Sequence, residues 1–185
     1  MKIINKFILL FLINIFFTNV FFARVFFAGK IREAILGLIE NEKRCIKVAM
    51  YIFTDPVIAS ALVKAHHNGI RVECVIDALA HRAYRGQGNY LRDNDVMVMQ
   101  YLQKHERDLM HSKYLIFDKT KLYKKEAYFS CVITGSYNCS QNAAYNNHEN
   151  MVIIFDQEVV NQYHKNFCKI KRDSEFISIH KVRKR

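Results

Sequence analysis

The stretch Cys45–Asp77, CIKVAMYIFTDPVIASALVKAHHNGIRVECVID, reads as strand, helix, strand. Cys45 to Phe53 is a nearly continuous apolar run of strand length, the pattern of a strand covered on both faces. Asp55 offers a side-chain acceptor to the open N–H groups of a helix start, and Pro56 suits the first helical position. The helix runs to about Asn68, where Gly69 supplies a stop, and Ile70 to Asp77 forms a second apolar strand ending on a carboxylate. A helix between two strands acts as a crossover, so these strands run parallel. The expected fold is α/β: a mixed, largely parallel β-sheet flanked by helices.

The same alternation extends outward. Val25–Phe27 reads as a short strand, and Lys30 to Asn41 places Ile31, Ala34, Ile35, Leu38 and Ile39 at helical spacing. Further strands are expected over Val96–Gln100, Met110–Phe117, Ala127–Ile133 and Asn150–Phe155, with a last helix over Gln157–Lys169. The middle, Ala78 to Gln100, has no clear period and carries Arg82, Arg85 and Arg92 with Tyr84 and Tyr90. It reads either as a solvated loop and helix or as a basic, aromatic lip that grips phosphates and stacks bases.

At 185 residues the chain has room for one compact domain. That domain is expected over 24–170, between an apolar segment at 1–23 and a basic tail at 171–185. Net charge is +11, which excludes an acidic protein and favours anionic partners: nucleic acid, a phospholipid surface or a phosphorylated metabolite. With 51% hydrophobic residues, 6 Gly and 1 Pro, neither disorder nor a collagen-like chain fits. Cys45, Cys74, Cys131, Cys139 and Cys168 are odd in number, widely spaced and free of any Cys-x-x-Cys, so they read as structural thiols. The remaining histidines show no metal-ligand spacing, and no metal or cofactor is expected.

Residues 1–23 begin with Lys2 and Lys6 ahead of the apolar run Phe7–Ala23. Seventeen helical residues reach about 26 Å, short of a bilayer core of about 30 Å. The segment fits a signal peptide cut after Ala23, although Phe21 is bulky for the third position before a cut; it fits an uncleaved signal-anchor equally well. The expected location is therefore exported or membrane-anchored. From Lys169 onward seven Lys/Arg face Asp173 and Glu175, a charge surplus suited either to a solvated tail or to an arm for nucleic acid or anionic lipid.

Two short segments carry the chemistry. In MHSKYLIFD, Met110 to Asp118, strand alternation puts His111 and Lys113 on one face. In GSYN the same period pairs Ser136 with Asn138, and Gly135 lets the backbone pass close to a neighbour. An imidazole, an ammonium, a hydroxyl and a carboxamide are the set a phosphoryl group needs: a nucleophile or acid, a positive charge, and donors for its oxygens. Glu149 could accept a proton from His111 and fix its tautomer.

His111-x-Lys113, four residues, Asp118, then Gly135-Ser136-x-Asn138 resembles the HxK(x)4D…G(S)xN signature of the phospholipase D superfamily. The similarity is closest to its single-motif members, the bacterial Nuc-type endonucleases and the mitochondrial phospholipase D-like proteins. It extends to Tyr51-Ile-Phe-Thr54, Gly69-Ile-Arg-Val72, Val75-Ile-Asp77 and Asn146–Asn150, and spans roughly Val25–Lys169. The resemblance implies a metal-independent phosphodiesterase, built as a homodimer whose active site straddles the twofold axis. His111 of one subunit attacks phosphorus to form a phosphohistidine; the other subunit's His111 protonates the leaving oxygen and then activates water. Lys113, Asn138 and Ser136 bind the phosphate oxygens, Glu149 orients His111, and Asp118 supports the site. Two departures stand out. Sixteen residues separate Asp118 from Gly135, several of them lysines, where members usually have far fewer; Cys139 occupies a position often aromatic. The implied substrate is nucleic acid, cut with low sequence specificity, or alternatively a phospholipid or cardiolipin. A catalytically inactive nucleic-acid-binding protein is the third reading.

Overall fold

The computed structural model describes residues 23–105, 108–122 and 127–176. Their strands are β1 (Ala23–Phe27), β2 (Cys45–Met50), β3 (Arg71–Asp77), β4 (Met97–Tyr101), β5 (Lys113–Thr120), β6 (Phe129–Gly135), β7 (Asn150–Ile154) and β8 (Ser174–Phe176). They form one sheet in the order β1-β7-β6-β5-β2-β3-β4-β8. The helices are α1 (Ile31–Asn41), α2 (Pro56–His67), α3 (Ala78–Ala83), α4 (Gly88–Asp93), α5 (Gln141–Tyr145) and α6 (Gln157–Arg172).

The sheet is mixed and helix-flanked as expected, but parallel pairing is confined to β2–β3 and β3–β4, and the other five pairings are antiparallel. Largely parallel is therefore corrected to largely antiparallel. Helical crossovers join β2, β3 and β4, which pair parallel, but β6 pairs antiparallel with β7 although α5 lies between them, so direction follows from which strands meet and not from a connecting helix alone.

Local chemistry sets the helix boundaries. Asp55 caps α2 by accepting from the N–H groups of Val57 (2.9 Å) and Ile58 (3.3 Å), with Pro56 following as read from sequence. Such a cap stabilises a helix by about 1 kcal/mol. Its carboxylate also takes Arg32 at 2.9 Å, tying α2 to α1. One face of the sheet buries Ile46, Val48, Met50, Leu115, Phe117 and Ile133 beneath α1, α2 and α4. The opposite face is covered by α6, whose Val160 and Phe167 pack on Ala49, Tyr114, Ile116 and Val132.

Several expected bounds move. The strand expected from Met110 starts at Lys113, so His111 lies in the lead-in to β5. The unpatterned middle resolves into α3 and α4, each six residues long. The last helix runs past the expected domain end to Arg172, and residues 174–176, assigned to the basic tail, pair antiparallel with β4. Three residues are too few to show a period, and backbone hydrogen bonds to an open sheet edge decide their structure. Residues 1–22 and 177–185 lie outside the described residues, so the targeting segment and most of the tail do too; Ala23 is the first residue of β1. Among the described residues, no helix is long and apolar enough to cross a membrane.

Candidate active site

The site lies where the parallel and antiparallel parts of the sheet meet. β2 ends at Met50, paired with Lys113 at the start of β5. Beyond that pair both chains leave the ladder, linked once more by Tyr51 N–H donating to the carbonyl of Ser112 (2.9 Å). His111 is thus exposed at a strand end, outside the buried core.

Three contacts hold that ring. The Lys113 ammonium lies 3.3 Å from each of its nitrogens and donates to the His111 carbonyl at 3.0 Å. The Tyr51 ring sits 4.5 Å from the imidazole, centroid to centroid, and the Lys113 ammonium lies 5.2 Å from the centre of the same ring. A half-buried ammonium against an aromatic face gains cation–π attraction while giving up hydration. That desolvation lowers the pKa of Lys113, with the charge of Glu149 opposing it.

A fourth support is buried. Asp77, fully buried at the end of β3, accepts from Met110 N–H at 3.1 Å and from Ala80 N–H at 2.9 Å. The first bond fixes the residue immediately before His111, and the second starts α3. In the sequence Asp77 is a strand-ending carboxylate and no more. The usable signal was a carboxylate at the end of an otherwise apolar strand, since a buried carboxylate needs donors.

The second motif closes the other side. β6 ends at Gly135, where an added Cβ would stand 2.2 Å from the carbonyl oxygen of Asn150, so glycine is needed for β7 to pass. Ser136 then exchanges backbone and side-chain bonds with Asn150: its N–H donates to the Asn150 carbonyl and its hydroxyl accepts the Asn150 N–H, both at 3.1 Å. Asn138 accepts the Ile52 N–H through its side-chain oxygen at 3.1 Å. The oxygen being taken, its amide nitrogen is left as the donor, the polarity a phosphate oxygen requires. Cys139 is buried between β2 and α2, where Thr54 and Asp55 donate to its carbonyl, and burial pushes its thiol well above the usual range. Such a thiol is inert, in line with a packing role.

Two of the expected contacts are absent. Glu149 accepts from the Ser136 hydroxyl and from the Asn147 amide (3.0 Å), and not from His111. It reaches the site as a charge near Lys113 and a partner of Ser136. Asp118 is on the other face altogether. Its carboxylate lies 3.3 Å from Nε2 of His164 on α6, while Lys47 lies 3.0 Å from Nδ1 of the same ring. Five residues of strand place Asp118 about 17 Å from Lys113. Burial works to raise the Asp118 pKa, but the His164 hydrogen bond and the charges of Lys47, His164 and Arg44 prevail and hold it below the usual carboxylate value.

Joined through Tyr51–Ile52, the site presents a nucleophile, an ammonium, an amide donor and a hydroxyl, and among the described residues no carboxylate accepts from the His111 ring. That set can bind a phosphodiester and attack it.

Comparison with known proteins gives a matching picture. A family model described as cardiolipin synthase, PLD-like domain, matches residues 35–171. The chain is 30% identical over 127 residues to the mitochondrial cardiolipin hydrolase of Canis lupus familiaris, covering 68% of this chain and 44% of that protein. To the phospholipase D of Rickettsia conorii it is 28% identical over 137 residues, covering 74% of this chain and 62% of the other. It therefore spans about half the length of the curated relatives it matches. The crystal structure of Nuc, a phospholipase D family member from Salmonella typhimurium, superposes with a TM-score of 0.70 at 25% identity, covering 84% of this chain and 98% of that one. A domain match over most of the chain, on the sheet that carries these two motifs at one end, makes the protein a member of the phospholipase D superfamily.

Proposed function

We propose that the chain is a metal-independent phosphodiesterase that works through a phosphohistidine on His111, and that it is an endonuclease of low sequence specificity. The observation that carries this is the exposed His111 ring, held by Tyr51 and the Lys113 ammonium, with Asn138 anchored through its side-chain oxygen on Ile52, the residue after Tyr51. The His111 nitrogen attacks phosphorus and the P–O bond to the leaving group breaks. Lys113 and the Asn138 amide hold the nonbridging oxygens as charge builds, and Ser136, whose hydroxyl donates to Glu149, supports the site beside them. A single chain supplies one imidazole, whereas the leaving oxygen needs a proton from a second acid. Two copies, with sites apposed across a twofold axis, supply it: the partner's imidazole gives the proton and then takes one from the water that hydrolyses the phosphohistidine. Acid–base help of this kind is worth about 10²–10⁴-fold. Glu149 is assigned the part of holding Ser136 and biasing Lys113.

Nucleic acid is favoured by what flanks this end of the sheet. α3 and the turn after it carry exposed Arg82, Tyr84 and Arg85, Tyr84 being 56% exposed, and α3 starts on the Asp77 carboxylate that also holds Met110, the residue before His111. Cations beside an exposed ring suit phosphates and unstacked bases. The fold match over nearly the whole of Nuc favours the same reading. Cleavage of a phospholipid or cardiolipin is the second reading, favoured by the cardiolipin hydrolase similarity. Residues 1–23 are assigned to export or membrane anchoring.

The test is to incubate the protein and its His111→Ala variant in EDTA with labelled DNA, labelled RNA and phospholipid vesicles. His111-dependent cutting of nucleic acid supports the nuclease; headgroup release alone supports the phospholipase. Activity abolished by EDTA, or retained in His111→Ala, contradicts both.

A further inference from the structure

The end of the sheet opposite His111 gathers a second set of cations. Lys43 donates its N–H to the Lys119 carbonyl (2.9 Å), and Arg71 donates its N–H to the Arg44 carbonyl (3.1 Å). Those backbone bonds bind the turn after α1, the start of β3 and the far end of β5 into one surface. Lys43, Arg44 and Lys119 are exposed on it. Two carboxylates adjoin them in the chain: Glu42 is buried and taken up by the N–H groups of Lys43, Arg44, Cys45 and Lys119, and Asp118, next to Lys119 and close to Arg44, is paired with His164. Glu40, which lines a groove with Lys43 and Lys64, is an exposed carboxylate beside them. Where β5 leads into β6, the Lys119 and Lys121 ammoniums stand 5.4 and 4.5 Å from the centre of the Tyr128 ring, which is itself 41% exposed. Lys119 is six residues along β5 from Lys113, about 20 Å from the active site.

The described part of the chain also begins at this end. β1 is antiparallel to β7 and β7 to β6, with Ala23 and Val132 both opposite Ile154. β1 therefore starts at the end where β6 starts and β5 finishes. Residues 7–22, apolar but for Asn14, Thr18 and Asn19, precede Ala23 in the chain. Three strand spacings, about 14 Å, separate β1 from β5.

We propose that this end of the sheet docks on an anionic bilayer beside the apolar segment, holding the active site on the side away from the lipid. The inference rests on reading residues 1–23 as membrane-associated and on the nuclease reading, since a phospholipase would turn its active site toward the lipid. Charge complementarity and the position of Ala23 both select a lipid surface. Lysine ammoniums beside an exposed tyrosine ring are the groups that suit a headgroup layer, with an amphipathic ring among the polar heads and cations near anionic groups. Each cation near such a surface raises affinity by about fivefold, so four of them favour the docked state by roughly 10²-fold or more.

The chain contains no tryptophan, so a single introduced indole reports its own surroundings. Full-length Tyr128→Trp and Tyr84→Trp proteins are reconstituted in phosphatidylcholine vesicles with or without phosphatidylglycerol, using brominated acyl chains as quenchers. The indole at 128 is expected to be quenched only when phosphatidylglycerol is present, and the indole at 84 to remain unquenched. Adding Lys43→Gln, Arg44→Gln, Lys119→Gln and Lys121→Gln to Tyr128→Trp, or raising salt on Tyr128→Trp alone, is expected to remove the quenching. Quenching at 84 instead of 128, or quenching indifferent to phosphatidylglycerol and salt, overturns the proposal. So does a four-glutamine protein that keeps its lipid contact and loses affinity for a single-stranded oligonucleotide, which would give the surface to nucleic acid. Because the readout is fluorescence, the nuclease reading stands or falls separately.

Discussion

The parallel and antiparallel parts of the sheet make different contributions to the active site. The antiparallel part supplies the reactive groups: His111 and Lys113 from the start of β5, Ser136 and Asn138 after β6, Glu149 before β7. The parallel part supplies what holds them: the Tyr51 ring, the Ile52 N–H and the Asp77 carboxylate, all at or just past the ends of β2 and β3. Reactive side chains sit where the backbone leaves the ladder and faces solvent; the holding groups are anchored in the most buried strands. Chemistry needs exposure and precise geometry needs rigidity, and a seam between two strand arrangements satisfies both.

Substitutions on the two sides should separate accordingly. The largest effect is expected on the reactive side: Asn138→Asp replaces a donor with a negative charge facing the phosphate and should lower kcat about 10²–10³-fold with little change in thermal stability. Next, Asp77→Ala leaves the Met110 and Ala80 N–H groups without their acceptor. It should cost about 1–3 kcal/mol per buried N–H left unpaired, seen in denaturant unfolding, and reduce kcat through His111. Wild-type kcat in that variant would show that the β3 end does not govern His111. Tyr51→Ala should reduce kcat about tenfold, as a loosened imidazole and ammonium lose orientation, whereas Tyr51→Phe keeps the ring face and should stay within about twofold. The alkaline limb of the pH–rate profile also reports this contact. Lys113 must be protonated to hold phosphate, and its desolvated pKa lies below that of an ordinary lysine, so activity should decline below the usual lysine range.

The smallest effect is expected at Asp118. Asp118→Asn should leave kcat unchanged and cost about 1 kcal/mol at neutral pH. The sign follows from linkage: a carboxylate with a lowered folded pKa stabilises above its unfolded value and loses that contribution as pH falls through the folded one. The gap between wild type and Asp118→Asn should therefore close below about pH 4, the ordinary carboxylate range. A large kcat loss in this variant would place Asp118 in the site after all.

Much of this was legible in the sequence. Asp55-Pro56 and Gly69 marked the crossover helix because caps and stops act locally. His111, Lys113 and Asn138 were found from spacing and likeness, and Gly135 from the need for close passage. What escaped depended on which strands meet. The balance of pairing directions is set by long-range contacts that a strand's own sequence does not encode. Likewise Glu149 on Ser136, and Asp118 on His164, are choices among several nearby partners. Asp118 was drawn into the site by its motif, yet the alternation of β5 sends odd-numbered Lys113 and even-numbered Asp118 to opposite faces. That period was available from the sequence.

The most direct test of a covalent path through His111 is to trap the intermediate. Enzyme in EDTA would be mixed with phosphodiester carrying radiolabelled phosphorus, quenched in alkali within the first turnovers, and digested for peptide mapping. The account predicts acid-labile, alkali-stable label on the peptide containing His111, absent from His111→Ala. Product formed with no protein-bound label at any quench time, or label on another residue, would contradict it.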